Sequence, residues 1–491
     1  MATDKRKTSV KKTVVDEGHA AHTKDADSQE GLPGEVRGPI KLTMLGAGSG
    51  FTPRLVSDVV QIKGNDRGEI CLVDIDRKRL SVMHKYINLL LEKHGKTEGW
   101  KVRSSTNRRE VLKDSDYIVS CIEVSGVDCV RLDNDIPLAY GVDQCIGDTI
   151  GPGGLFKGLR TIPVWLEVLK DCEELCPNAL VLNYTNPMNM MTLASGRTSS
   201  MQVVGLCHSV QGTSHLLAKR AGVEYNQLDW ECAGINHLAW FTRLEHKGKN
   251  LYPKLMKMAK LDLAGKPFDP KDASDLVRKD MMVHFGAFVT ESSGHLSEYV
   301  PYYRTHKKEM KKYIGGKYGG QSGYYADYWP TYRKNVDASR DEVISGKKSI
   351  DEQRAKGWGR SWEYASWIIE AHMKNTPYKI YGNVMNKKGS AGPLIGNLPH
   401  DGCVEVACMI DGNGINPTIY GDLPAQMAGI CRSNMSMFDL GAQAAIEKSK
   451  DMAAYSLMLD PLTSAMCSPA QIKEMTEKLF KSQKKYLKGF K

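Results

Sequence analysis

The stretch Lys41-Leu42-Thr43-Met44-Leu45-Gly46-Ala47-Gly48-Ser49-Gly50-Phe51-Thr52-Pro53 decides the fold. Its first five residues have the apolar pattern of a buried strand, and the glycine-rich turn hands the chain to a helix opened by Thr52 and Pro53. Gly-x-Gly between a strand and a helix lets the backbone approach a pyrophosphate, whose charge then sits on the helix N-terminus. Asp74 ends the next strand-like run, 28 residues after Gly46, where a carboxylate accepts hydrogen bonds from ribose hydroxyls. An acid there favours NAD over NADP, because a 2′-phosphate would meet like charge. A tight turn with a capping aspartate would explain the glycines alone, but not strand, turn, helix, strand and acid in that order. The sixth position is Phe51 rather than glycine, which departs from the three-glycine fingerprint and points away from ordinary dehydrogenases. Gly46, Gly48, Ser49, Phe51 and Asp74, with Asn186 from a later segment, are the candidate cofactor contacts.

Outward from this turn, short β-like runs at 40–45, 70–73, 117–121, 179–182 and 203–206 alternate with helical periods at 53–62, 80–91 and 155–175. Strands alternating with helices give an α/β fold, an N-terminal Rossmann-like doubly wound parallel sheet over residues 39–206. The remainder, 207–491, reads as a C-terminal α+β domain for catalysis and oligomerisation. It has strand-like stretches within 228–244 and at 404–409 and 417–420, and a Lys-rich helical region at 246–282. A Gly/Tyr-rich loop covers 315–323, and helices follow at 424–445, 451–457 and from Pro469. Residues 1–38 are polar and poor in aromatics; they bury too little apolar surface to offset chain entropy and are expected to be a disordered tail.

The 491 residues, 41% hydrophobic, suffice for two or three domains and a large core. No window approaches the roughly 18 consecutive apolar residues of a membrane span, and the first residues lack an apolar signal core. No membrane partner and a cytoplasmic location are therefore expected. Twelve cysteines without repeating spacing read as free thiols of a reducing compartment. The net charge of +10 suggests nucleic acid until it is located. Residues 1–38 are net neutral, and the excess sits in 304–317 and 471–491, each net +5. Neither run interleaves the aromatic platform of a single-strand binder, so no nucleic-acid partner is expected. The two runs read as solvated helical faces, or as a basic rim that draws in an anionic substrate.

Four segments hold more polar residues than a core needs. Ile146-Gly147-Asp148-Thr149 leads into Gly151-Pro152-Gly153-Gly154, read as a second rigid glycine-rich loop. Asn183-Tyr184-Thr185-Asn186-Pro187-Met188 and Cys207-His208-Ser209-Val210-Gln211 each follow an apolar strand, the end at which open α/β sheets bind ligands. Gly234-Ile235-Asn236-His237 ends another β-like segment. A thiolate and an imidazole from separate segments could hold a divalent metal, though a Cys and a His 30 residues apart, as Cys207 and His237 are, more often belong to a core and a cap. Softness alone would put zinc before manganese.

In this order, the Gly46 turn, Ile-Gly-Asp-Thr-x-Gly-Pro-Gly-Gly, Asn-Tyr-Thr-Asn-Pro-Met, Gly-Leu-Cys-His-Ser-Val-Gln and Gly-Ile-Asn-His together resemble glycoside hydrolase family 4, the NAD- and metal-dependent glycosidases. Val289-Thr290-Glu291-Ser292-Ser293 with His295, Glu298, Tyr299 and Pro301, and Met458-Leu459-Asp460-Pro461-Leu462-Thr463, resemble its C-terminal region. The resemblance spans roughly residues 40–465; the stretch near 313–380 resembles nothing in it. It implies NAD and Mn²⁺, or another divalent cation, as cofactors, with Cys207 and His237 as metal ligands. Asn186, Asn236 and Asp148 would contact the substrate, Tyr299 would be the base, with Glu298 and His295 close enough in sequence to be mistaken for it, and His208 would supply or relay a proton to the leaving oxygen or simply donate to substrate.

The implied chemistry is oxidation, elimination, addition and reduction, not the two-carboxylate displacement of most glycosidases. A C3 ketone acidifies the C2 proton, a base removes it, and the C1–O bond breaks. A tyrosine doing this must have its pKa, ordinarily near 10, shifted downward by metal charge. Cys207-His208-Ser209-Val210-Gln211 is similar to the α-galactosidase group rather than the phosphoglucosidases, although Asn189 stands where that group carries a small apolar residue. The substrate partner is thus a small glycoside, first an α-galactoside, with an α-glucoside, glucuronide or other anionic glycoside as alternatives. A homo-oligomer, dimer or tetramer, is implied. Two other readings are a metal-independent NAD-dependent hydroxy-acid dehydrogenase and a non-catalytic NAD-binding regulator.

Overall fold

Apolar runs at the head of the chain become strands β1 (Ile40–Leu45), β2 (Gly68–Val73), β3 (Trp100–Ser105), β4 (Tyr117–Ser120), β5 (Leu180–Asn183) and β6 (Gln202–Gly205). The later strands are β7 (Leu228–Ile235), β8 (Leu238–His246), β9 (Lys249–Asn250), β10 (Phe288–Val289), β11 (Tyr378–Met385), β12 (Cys403–Asp411) and β13 (Gly414–Pro417). The computed structural model describes residues 31–267, 269–353, 358–387 and 392–491. Among them, all these strands form one sheet in the order β10-β8-β7-β12-β11-β6-β5-β4-β1-β2-β3, with β13 on β12 and β9 on β8.

The run β3-β2-β1-β4-β5-β6 is parallel throughout and has the doubly wound order. Its middle strands are buried on both faces, which is why β4 and β5 read as unbroken apolar runs. The strand β3 escaped the sequence reading because its pattern, Trp-Lys-Val-Arg-Ser-Ser, is that of a polar edge. The sheet crosses to antiparallel pairing beyond β6, where Asn383 of β11 faces Gly205. The expected boundary at 206/207 thus coincides with a change of strand direction, yet the hydrogen-bonded sheet runs through it. The strand β11, which no apolar run in the sequence marks, is central here, paired to β6 and β12.

Four further expectations are corrected. Residues 31–38 do not form part of a disordered tail: Leu32 N–H donates to Glu370 Oε1 (2.9 Å), and the carbonyls of Leu32 and Pro33 accept from Lys374 Nζ (2.8 Å) and Thr376 Oγ1 (2.7 Å). Glu370 is fully buried between Arg360 and Lys374, and this ion trio gives the segment its dock. Residues 1–30 of the expected tail lie outside the described residues. Gly151-Pro152-Gly153-Gly154 is the first turn of the helix Gly151–Leu175, not a loop. Small residues are needed there because a Cβ at Gly153 would stand 2.2 Å from the Gly147 carbonyl oxygen. In the 304–317 basic run, the helix Lys307–Tyr313 buries no residue, as a solvated face should. Arg304 instead is 2% exposed, donates to Ser297 Oγ (2.8 Å) and pairs with Asp143 (3.3 Å). Finally, the strand expected at 417–420 lies earlier, at Gly414–Pro417, because it pairs with the end of β12.

Candidate active site

The site lies where β1, β2, β5 and β6 end and the β7–β8 hairpin turns. At the end of β1, Gly46 takes a left-handed φ of +72°, and a Cβ there would approach the Cys121 carbonyl oxygen to 2.5 Å, so the turn tolerates only glycine. The helix Thr52–Val60 has no side-chain N-cap, so its positive N-terminal end faces an anion without a competing side chain, although Pro53 carries no N–H and the Arg54 N–H already donates to the Phe51 carbonyl (3.0 Å). Asp74 Oδ2 accepts the Gly48 N–H (2.7 Å) and Oδ1 accepts the Asp76 N–H (2.9 Å). The acid expected to be open to a ribose therefore also fastens the glycine turn to the end of β2. Phe51 is 39% exposed and stacks on His208 (5.9 Å, 12°) and Tyr184 (6.2 Å, 26°), tying the glycine turn to the segment after β6. These features fit a dinucleotide: a glycine-rich turn, a helix N-terminus without a side-chain cap and an acid at the second strand.

The metal pair expected from sequence is brought together. Cys207 Sγ lies 3.3 Å from His237 Nε2. Two ligands at the usual Zn–S and Zn–N bond lengths stand about 3.1–3.6 Å apart on one ion. Burial pushes the Cys207 thiol up, but the His237 and His208 imidazoles outweigh it and hold it down to about 6. His237 is held by the two-residue turn between Ile235 and Leu238 at φ +62°, a left-handed position that costs an L-residue about 1–2 kcal/mol. Glu291, just beyond β10, is also left-handed at +75°. Such conformations persist where the surrounding structure imposes them, commonly at functional sites.

The helix Ser293–Tyr299 then presents His295 and Tyr299, four residues apart, on one face. His295 makes an edge contact with the His237 ring (4.4 Å) and Tyr299 a tilted one (6.2 Å). His295 Nδ1 lies 2.7 Å from Glu291 Oε2, and ligand atoms of His237, Glu291 and His295 all fall within 4.8 Å of one another. Two imidazoles, a carboxylate and a thiolate are a donor set suited to a divalent ion, with oxygen and nitrogen outnumbering sulfur. Both amide atoms of Asn236, His237 Nδ1, Asp148 Oδ1 and Tyr299 Oη are buried without a hydrogen-bond partner in the protein. Buried polar atoms are rarely left so, and their clustering here fits a polar ligand among them.

Of the three residues competing for the base, geometry separates one. Glu298 accepts the backbone N–H groups of Cys145, Ile146 (2.6 Å) and Gly147 (3.2 Å), and burial raises its pKa. Its carboxylate is thus engaged in holding the Asp148 loop in place. Glu298→Gln, which keeps an acceptor oxygen, retains turnover, whereas Glu298→Ala strands the backbone donors at about 1–3 kcal/mol each. A urea melt beside an activity assay distinguishes these outcomes from a catalytic loss in both variants.

Asp148 Oδ2 accepts from Asn186 Nδ2 (3.1 Å) and pairs with Lys157 (3.4 Å). Burial would raise its pKa, but Lys157, His295 and the Asn186 amide hold it below the ordinary value. Asn186 therefore faces the Asp148 side of the cleft. Two acids were missed by sequence reasoning. Both Glu363 oxygens lie 2.7 Å from His208 Nε2, and although burial opposes it, this carboxylate pushes the His208 pKa up to about 9. Glu405, fully buried in register with Gly234, is pushed up to about 8 by burial and the Cys207 charge, and accepts from Asn383 (3.1 Å). Neither stands in a motif; the left-handed Glu291 did, without a role.

Family models of "Family 4 glycosyl hydrolase" and its C-terminal domain match residues 41–223 and 232–463. An alpha-galactosidase of Bacillus subtilis is 35% identical over 453 residues, 92% of this chain and 100% of the relative. An alpha-galactosidase of Rhizobium meliloti is 33% identical, covering 91% of this chain and 89% of its own. A 6-phospho-alpha-glucosidase from gut microorganisms, solved with NAD and Mn²⁺, has the same fold at TM-score 0.74 and 23% identity, covering 91% of this chain and 99% of that one. With its glycine turn, its Cys207–His237 pair and both halves matched, the chain belongs to family 4 of the glycosyl hydrolases.

Proposed function

We propose that this protein hydrolyses α-galactosides by an NAD- and divalent-metal-dependent elimination, with residues 39–206 holding the dinucleotide and 207–491 supplying the metal and base residues. The observation that carries the reading is Cys207 Sγ at 3.3 Å from His237 Nε2, with Tyr299 against the same imidazole. Gly46, Gly48, Ser49, Phe51 and Asp74 would hold NAD; Cys207 and His237, joined by His295 and Glu291, would hold Mn²⁺ or a similar ion. When bound, these groups supply reversible oxidation at sugar C3 and polarisation of the resulting carbonyl, which acidifies the C2 proton.

Tyr299 removes that proton. Burial pushes its phenol well above the ordinary value, and the Asp148, Glu298 and Cys207 charges push it further. Cationic charge at the Cys207–His237 pair is what offsets them, so base function is coupled to loading of the site. His208, kept as an imidazolium by Glu363, protonates the leaving oxygen at C1. Asn236 and Asp148 orient the sugar hydroxyls through the amide and carboxylate atoms that the protein leaves unpaired, and Asn186, whose amide donates to Asp148, lines the same side.

Charge around the cleft favours a neutral sugar over the anionic alternatives. Lys157 lies between Glu123 (3.1 Å) and Asp148 (3.4 Å), His208 against Glu363, His295 against Glu291, and Arg304 against Asp143. Each of these cations already faces a carboxylate, so none is left for a sugar phosphate or uronate. The named α-galactosidase relatives agree with this choice. Asn189 lines a cavity of about 100 Å³ with Leu193, Cys403 and Phe438, and Phe438 packs on Tyr299.

Among the described residues no helix is long and apolar enough to cross a membrane. All twelve cysteines are unpaired, and a working thiolate at Cys207 calls for a reducing, cytoplasmic setting. Self-association, implied by the resemblance, has exposed Tyr455 and Leu459 in the C-terminal half available to it. The test is an assay of aryl α-galactoside, β-galactoside, 6-phosphoglucoside and galacturonide with NAD, Mn²⁺ and a thiol reductant, omitting each in turn. Turnover of the neutral α-galactoside that needs all three supports the reading; turnover without metal, with net NADH release, supports a dehydrogenase instead.

A further inference from the structure

Beyond Tyr299, the helix Tyr324–Ile344 and the segment before it carry an aromatic ladder. Tyr318 meets Tyr324 edge-on (5.0 Å, 69°), Tyr324 stacks on Tyr328 (5.4 Å, 10°), and Tyr328 stacks on Tyr332 (5.4 Å, 30°). Ring centroids this far apart on nearly parallel planes are offset, so part of each face stays uncovered. Tyr318 is 48% and Tyr328 37% exposed. None of the four phenol hydroxyls has a hydrogen-bond partner in the protein among the described residues. Large aromatic side chains left open in a row mark a binding surface rather than a core.

Both ends of the ladder are fastened to the active site. The N–H groups of Gly323 and Tyr325 donate to the carbonyls of Gln144 (2.7 Å) and Cys145 (2.9 Å), just ahead of the Asp148 loop. A Cβ at Gly294 would stand 2.6 Å from the Tyr318 carbonyl oxygen, so Tyr318 sits against the helix that carries His295 and Tyr299. Burial pushes the Tyr318 phenol up, and Tyr324, Glu291 and Asp148 add to it, which makes this ring a neighbour of both sides of the sugar site. At the other end, a Cβ at Gly50 would stand 3.4 Å from Tyr332 Oη, and the next residue, Phe51, is 39% exposed and stacks on His208. His208 is the acid at the leaving oxygen, so a leaving group emerges beside Phe51, with Tyr332 and then Tyr328 next along.

We propose that Tyr324, Tyr328 and Tyr332, continuing from Phe51, form a platform for the sugar rings of the leaving group, so that the preferred substrate is an α-galactoside whose aglycone is itself an oligosaccharide. The proposal rests on the α-galactoside reading and deepens it by naming the aglycone. A pyranose ring offers a face of C–H groups, which the negative face of an aromatic ring attracts, and a rim of hydroxyls, which the unbonded phenols meet as donors or acceptors. An alkyl aglycone would use neither.

Steady-state kinetics of the full-length protein with NAD and Mn²⁺ test this on two substrates, methyl α-galactoside and the α-galactoside of a disaccharide. Wild-type KM for the second is about tenfold or more below that for the first. Tyr328→Ala raises the KM of the disaccharide α-galactoside by about fivefold with kcat within twofold, and leaves methyl α-galactoside within twofold, because a methyl group ends before Tyr328. Tyr328→Phe, which keeps the ring, recovers most of the loss. The exposed, unbonded Tyr328 side chain makes these variants that fold, which circular dichroism checks. Equal wild-type KM for the two substrates, or an unchanged KM in Tyr328→Ala, overturns the platform. NAD affinity that falls in step with the KM effect assigns the ladder to the dinucleotide, and a change of assembly size in light scattering assigns it to a second copy of the chain; either overturns it too. Cleavage of neither α-galactoside by the wild-type protein overturns the reading on which the proposal rests.

Discussion

Cys207→Ser lowers kcat/KM on an α-galactoside by about 10³-fold, and the remaining turnover needs far more Mn²⁺. Serine keeps the side-chain shape but not the ligand. The thiol is held down to about 6 by His237 and His208 against burial, so a thiolate is present at neutral pH, whereas a serine hydroxyl does not ionise there. Cys207 is only half-buried, and its Sγ contact is with His237, so the fold survives the change. His237→Ala has the same effect on turnover, and the double variant is no worse than the worse single one, because the two residues act as one site. Dinucleotide affinity, measured by fluorescence titration, stays within about threefold in all of them, since the glycine turn is built from β1 and β2. Full activity of Cys207→Ser at low Mn²⁺ would remove the thiolate from the metal site.

Tyr299→Phe leaves stability unchanged and removes catalysis, by about 10²–10⁴-fold in kcat. The stability half follows from the orphaned hydroxyl: Tyr299 Oη is buried without a partner, so deleting it strands no donor and leaves an apolar ring packed on Phe438 and His237. The catalytic half follows from its place against His237. Exchange of the sugar C2 proton with solvent deuterium falls in step with turnover. Wild-type turnover and exchange in Tyr299→Phe would transfer the base role to His295, the neighbour on the same helical face.

The parallel half of the sheet was legible because a doubly wound sheet writes itself locally: each buried strand is an apolar run and each ends at a turn with its own chemistry. Gly46, Asp74, Asn186 and Cys207 could be found because they stand at those strand ends. The antiparallel half was harder. Its central strand β11, Tyr-Lys-Ile-Tyr-Gly-Asn-Val-Met, mixes polar and apolar residues because it is sandwiched between β6 and β12 and carries Asn383 inward to Glu405. The helix Tyr324–Ile344 was missed for a different reason. Its aromatic residues stack on one another along the helix, Tyr324 on Tyr328 and Tyr325 on Trp329, and only Ala326, Arg340 and Val343 are buried, so no buried apolar stripe marks it. Glu363 lies beyond that helix, in the same stretch near 313–380, and its pairing with His208 across 155 residues leaves no trace in spacing. The difference in surroundings between Glu298 and Tyr299 was likewise invisible in one dimension: three backbone amides stand on the Glu298 carboxylate, and the Tyr299 hydroxyl has no partner.

The central claim is that this fold cleaves a glycosidic bond by removing a proton from the neighbouring carbon, using residues gathered around Cys207 and His237. The most direct measurement is hydrolysis of an aryl α-galactoside by the wild-type protein in deuterium oxide, with NAD and Mn²⁺ present, followed by NMR of the galactose released. Deuterium at C2 in every product molecule, with no accumulation of NADH, is the result the account predicts. Galactose released at full rate with hydrogen retained at C2 would mean direct displacement at C1, and would contradict it.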